Sequence, residues 1–145
     1  MINIIQKFES ITELYRRTQQ SVMAPGQWQA FLTTACRNYK LSFDEQLLVY
    51  AQRPDAIAVL EIERWNKQFG RWVNRGATGI AVFDGETKGR TRLKYYFDIS
   101  DTHPGRFSRR VPIWQMRPEY EKEVIEALEN RYGELPVNRV VDESS

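Results

Sequence analysis

Cations and aromatic rings alternate along "WNKQFGRWVNRG", residues 65–76, where Trp65 and Trp72 stand among Lys67, Arg71 and Arg75. Those residue types suit one chemistry well: cations neutralise phosphates and release counterions, while an exposed ring gives a base a face to stack on. The same interleaving also fits a core element with a solvated rim. A second set occurs in "RTRLKYYFDIS", residues 90–100, where Arg90, Arg92, Lys94 and Tyr96 recur at every second position and so share one face of a strand. Gln46, Tyr50 and Arg53 fall on one face of a predicted helix, a polar and aromatic set that either touches a ligand or is simply wet. The candidate nucleic-acid contacts are therefore Arg71, Trp72, Arg75, Arg90, Arg92, Lys94, Tyr96, Trp65, Lys67, Gln46 and Tyr50.

Acid–base and nucleophilic chemistry has fewer resources. His103, in the turn-like "DTHPG", is the only histidine, whereas zinc hydrolases usually use two or three. Cys36 is the only cysteine, which excludes an internal disulfide, and it falls on the apolar stripe of a predicted helix. A phosphate loop needs a lysine and a following helix, and "GATGIAVF" supplies neither. Asp98 and Asp101 lie close in sequence but have no nucleophile motif beside them. The expectation is a non-catalytic protein with no cofactor and no metal.

The 145 residues suffice for one compact domain, and 41% hydrophobic content suffices for a core. The formal charge of +2 conceals an asymmetry. Residues 64–110 carry eleven basic and four acidic side chains, residues 111–145 four basic and eight acidic, and residues 1–63 six basic and seven acidic. A basic middle between acidic ends is the electrostatic footprint of a phosphate-binding surface. No run of residues is long and apolar enough for a membrane span, and the first ten residues acquire charge too early for a signal peptide, so a cytoplasmic location is expected.

These residues need elements to hold them. Ile4, Phe8, Ile11 and Tyr15 predict an amphipathic helix over 3–20, and Trp28, Phe31, Leu32, Ala35, Cys36 and Tyr39 predict a second with Pro25 in its first turn. Ser42 and Glu45 stand at capping-box spacing ahead of a helix that Pro54 stops, with Phe43, Leu47, Leu48 and Ala51 inward. Residues 62–69 read as a short helix closed by Gly70. The period then changes to two: "RWV", "IAVF" and the strand after the hairpin "GETKG", with Leu93, Tyr95, Phe97 and Ile99 facing the core and the basic ladder facing away. A last helix runs over 117–132, burying Tyr120, Val124, Ile125 and Leu128, and ends at Gly133 and Pro136. The expected fold is α+β: helices packed on a small, mostly antiparallel sheet, one domain over 1–135 with a tail over 136–145.

The order of these motifs resembles the N-terminal domain of ArdC-type antirestriction and LtrC-like proteins of conjugative elements. The resemblance covers residues 27–103 and rests on Tyr39, Ser42, Gln46, Leu47, Leu48, Gln52, Pro54, Ala56, Trp65, Gly70, Arg71, Val73, Gly76, Gly79, Ile80, Phe97, Asp98, Ile99 and Thr102. It implies largely sequence-independent binding of single-stranded DNA by a module of a larger mobile-element protein. It implies no catalysis here, because the family's separate metallopeptidase-like domain uses an H-E-x-x-H motif that a single histidine cannot supply. The family's lysine, glutamate and lysine around the first turn glycine are replaced by Arg75, Ala77 and Thr78, so one cation of that motif is kept. The alternative is a protein-interaction domain of a larger helicase/methylase-type or conjugation protein, whose aromatic and basic surface docks another part of that chain or a conjugation partner.

Overall fold

The computed structural model describes residues 4–84, 92–115 and 117–132. Helix α1 (Ile4–Val22) follows its apolar spacing and runs two residues past the expected end. Ile11 is buried, and the rings of Phe8 and Tyr15 meet Phe83 at 5.4 and 5.6 Å between centroids. Helix α2 (Gln27–Ala35) starts behind Gly26, leaving Pro25 outside its first turn, and tightens into a 3-10 turn over Cys36–Asn38. That turn has three residues per repeat rather than 3.6, which carries Tyr39 off the apolar stripe and leaves it exposed. Helix α3 (Phe43–Gln52) has both halves of its capping box: the Ser42 N–H donates to Glu45 Oε1 (3.0 Å) and the Glu45 N–H to Ser42 Oγ (3.3 Å).

Helix α3 is the wall shared by two apolar clusters. On one side Phe43 and Leu47 pack with Val22, Phe31 and Leu32. The last helix, α5 (Glu121–Tyr132), closes this cluster with Ile125, Leu128 and Tyr132. On the other side Leu48 and Val49 pack with Ile11 against Val59, Ile80, Val82 and Tyr96. Tyr120 does not join the core: it belongs to a 3-10 turn (Pro118–Tyr120) out of phase with α5, and is exposed.

The second cluster rests on a three-stranded antiparallel sheet of β1 (Val59–Leu60), β3 (Ile80–Phe83) and β4 (Leu93–Asp98), ordered β1-β4-β3. The outer edge of β3 is capped by Gln52, whose side-chain amide donates to the Ala81 carbonyl (2.8 Å) and accepts from its N–H (3.0 Å), as a neighbouring strand would. Helix α4 (Ile62–Phe69) follows β1 and ends at Gly70, whose φ of 61° is the left-handed turn that glycine adopts without strain. From there β2 (Arg71–Val73) pairs antiparallel with β5 (Thr102–Pro104) as a separate two-stranded ribbon. The fold is α+β, as expected from the sequence, with its strands divided between sheet and ribbon. The expected hairpin "GETKG", Arg90, the Gly133 cap and the tail lie outside the described residues. Among the described residues no helix is long and apolar enough to cross a membrane.

Candidate nucleic-acid interface

Strand β4 reverses the expected assignment of its faces. Lys94 and Tyr96 pair with Val82 and Ile80, and this is the face that α1 and α3 cover, whereas Tyr95 is exposed. Burial of the tyrosine and partial burial of the lysine are possible because Glu45 on α3 receives both: the Tyr96 hydroxyl donates to Glu45 Oε2, and Lys94 Nζ lies 3.5 Å from it and 5.5 Å from the Tyr96 ring centroid. Lys94 also reaches Glu61 at 3.9 Å. Burial and the adjacent Glu45 carboxylate hold the Tyr96 phenol well above its usual range. For Glu45 itself, burial pulls the pKa up, but hydrogen bonds from Tyr96 and Ser42 and the charge of Lys94 outweigh it and leave the carboxyl below its ordinary value.

Other expected contacts are also structural. Trp65 is fully buried and its indole N–H donates to the Phe97 carbonyl (2.8 Å), which anchors α4 to the sheet and removes the ring from any stacking role. Gln46 is buried with its amide donating to the Ala35 and Asn38 carbonyls (3.1 and 2.6 Å), so it closes the turn after α2. Tyr50 packs edge-on against Phe31, 5.6 Å between centroids. Arg53, at the end of α3, donates to Asp101 Oδ2 (2.6 Å), Asp55 Oδ1 (3.3 Å) and Ser100 Oγ (3.0 Å). Asp98 is buried and accepts from the Ile57 and Ala58 N–H groups (2.8 and 3.0 Å) and from Ser100 Oγ (2.5 Å). Burial raises its pKa, and those hydrogen bonds more than offset the rise, holding the carboxyl below the usual range.

The ribbon turns Trp72 and His103 to solvent. Trp72 faces His103 across the strand pair and is 50% exposed. Its indole lies against Gly105, where an added Cβ would overlap the ring and come within 2.8 Å of the Gly70 carbonyl oxygen. A side chain at 105 would displace the ring. His103 Nδ1 is 2.7 Å from Asn74 Oδ1 on the same face. The Ala77 N–H closes a turn on the Asn74 carbonyl (3.1 Å), which carries Arg75 into solvent. Arg71 is more constrained, because its guanidinium donates to Thr102 Oγ1 (2.8 Å) and the Thr102 carbonyl (3.1 Å) and so fastens the two strands together.

Beyond β5 the chain turns at residues 105–108 and is pinned beside α4 by the Gly105 N–H on the Gly70 carbonyl (2.9 Å) and the Arg109 N–H on the Phe69 carbonyl (2.8 Å). The turn presents Phe107, 81% exposed, with the Arg106 guanidinium 5.5 Å from its ring centroid. Arg109 and Arg110 follow in solvent. The sequence has no carboxylate between Glu63 and Asp84 or between Asp101 and Glu119, and these two stretches meet in the ribbon. Asp101, the acid at its end, is engaged by Arg53. Along the ribbon and the turn that follows it, Trp72 and Phe107 are exposed rings, and Arg75 at one end and Arg106, Arg109 and Arg110 at the other are exposed cations.

No family model matches the chain, and no curated protein or solved structure shows significant similarity to it.

Of the sequence candidates, the structure brings Trp72, Arg75 and, in part, Arg71 to this surface. Lys67 is exposed on α4, and Arg92 is exposed at the start of β4, on separate elements. Sequence reasoning missed Phe107, Arg106, Arg109 and Arg110. Their signal was present in "GRFSRR", an aromatic residue set among arginines in a stretch with no helical or strand period to bury it.

Proposed function

We propose that the β2–β5 ribbon and the 105–110 turn bind single-stranded DNA with little dependence on sequence. The observation that carries this reading is the pairing of exposed Trp72 and Phe107 with four solvent-exposed arginines in stretches free of carboxylates. Each ring offers a stacking platform, which contributes about 1 to 3 kcal/mol per base and accepts any base because every base has a π-face. The arginines neutralise the backbone and make the affinity fall with salt. A duplex keeps its bases stacked on one another, so it gains only the electrostatic part. The resemblance of residues 27–103 to ArdC-type N-terminal domains supports the same reading, with the chain acting as a module of a larger mobile-element protein.

The test is a titration of labelled oligonucleotide with wild-type protein, Trp72→Ala and Phe107→Ala. Each substitution is expected to weaken single-strand binding while leaving the circular dichroism and melting temperature near wild type. Unchanged affinity in both variants would overturn the assignment.

A further inference from the structure

Helices α2 and α5 leave between them a groove of about 610 Å³. Half-buried Trp28 gives it apolar surface above the buried Leu32 and Ile125, and Glu121, Glu126 and Glu129 line it with carboxylates, against the single cation Lys122. These three glutamates are exposed, and none forms an ion pair among the described residues. Its volume lies in the range of ordinary ligand sites, but an acidic rim repels phosphate and so disfavours the ligand of the ribbon. What fits is a short segment with one apolar anchor between cations.

The chain itself presents such a segment. Phe107 is 81% exposed and flanked by Arg106, Arg109 and Arg110. The turn is held by the Ser108 N–H on the Gly105 carbonyl (3.3 Å) and by the bond from Arg109 to Phe69, so little order is lost when it docks. Because it is pinned to α4, the turn cannot swing into the groove of its own chain and must meet that of another copy.

We propose that the α2–α5 groove binds the 105–110 turn of a second copy of this chain, with Phe107 seated against Trp28 and the arginines facing Glu121, Glu126 and Glu129. The contact is heterologous, so each copy keeps one free groove and one free turn and association is head to tail. Its charges lie at an exposed rim, which makes it weak and salt-sensitive. Since the proposed function assigns the same turn to DNA, the two occupants exclude each other.

Sedimentation velocity of the full chain without nucleic acid tests this, from about 10 µM to about 1 mM, the range of a weak contact. The expected result is a mass that rises with concentration at low ionic strength and returns to that of a monomer at high. Glu126→Lys with Glu129→Lys removes the groove, Phe107→Ser removes the turn, and each variant alone stays monomeric. Mixed together, the two variants retain one intact groove and one intact turn, and form a dimer that grows no further. A monomer at every concentration, or association that survives either variant, overturns the proposal. An isologous contact through Phe107 appears as a wild-type assembly indifferent to the glutamate changes and overturns it as well. No oligonucleotide is present, so failure here is separate from failure of the DNA reading, which the oligonucleotide titration of wild-type protein tests by itself.

Discussion

The three-stranded sheet and the two-stranded ribbon are written in the same residue types and use them differently. In and against the sheet, Tyr96, Lys94 and Asp98 of β4 and Trp65 of the overlying α4 each have a polar partner inside the molecule. In the ribbon, Trp72 and Phe107 face solvent, and the cations around them, Arg71 apart, are exposed. The contrast teaches that an interleaving of rings and cations does not itself mark a binding face. What separates the two regions is whether a helix lies over the strand and whether a carboxylate comes with it, as Glu45 does on α3.

Substitutions should therefore divide into those that unfold the protein and those that weaken binding. The largest effect is expected for Trp65→Ala, which empties a fully buried indole site and removes a hydrogen bond, at about 3 to 5 kcal/mol of stability by urea unfolding. Next is Asp98→Ala, which leaves the Ile57 and Ala58 N–H groups without their acceptor and should cost about 3 kcal/mol in the same assay. Asp98 and Glu45 both have depressed carboxyl pKa values in the folded state, so they contribute stability above the ordinary carboxylate range. That contribution is lost as pH falls below about 4 and through the folded values, and the acid-side loss should be shallower in Asp98→Asn.

Ribbon changes come lower on the stability scale and higher on the binding scale. Trp72→Ala and Phe107→Ala should each weaken oligonucleotide binding about 5- to 150-fold, the equivalent of one stacked base, while stability stays within about 0.5 kcal/mol. Gly105→Ala should reproduce part of the Trp72 loss by displacing the ring, and it should also lower stability, because the added Cβ meets the Gly70 carbonyl oxygen that pins the turn. The smallest change is Arg75→Gln, which should lower the slope of log affinity against log salt by about 0.7.

Much of the fold was legible because its signals are local. The Ser42–Glu45 capping box, the Pro54 stop, the Gly70 helix end and the short strands at 71–73 and 80–83 are set by residues within a few positions of each other. The facing of β4 was not legible. Lys94, Tyr96 and Asp98 read as a polar face until their partners are known, and those partners, Glu45 and the amides of Ile57 and Ala58, lie about 40 to 50 residues away. For the candidate site, Trp72 and Arg75 were legible from alternation and a glycine turn. Phe107 was not, because it sits outside any periodic element, and its place past the end of the ribbon depends on the β2–β5 pairing and on bonds to Phe69 and Gly70.

The most direct test of the DNA reading is fluorescence anisotropy of a labelled single strand of about 20 nucleotides, long enough for one site, titrated with wild-type protein at low and moderate salt beside a duplex control. The ribbon account predicts saturable binding that prefers the single strand and weakens with salt at a log–log slope of about −3, as four arginines require. No binding at low salt, or equal binding of strand and duplex that Trp72→Ala and Phe107→Ala leave unchanged, would contradict it.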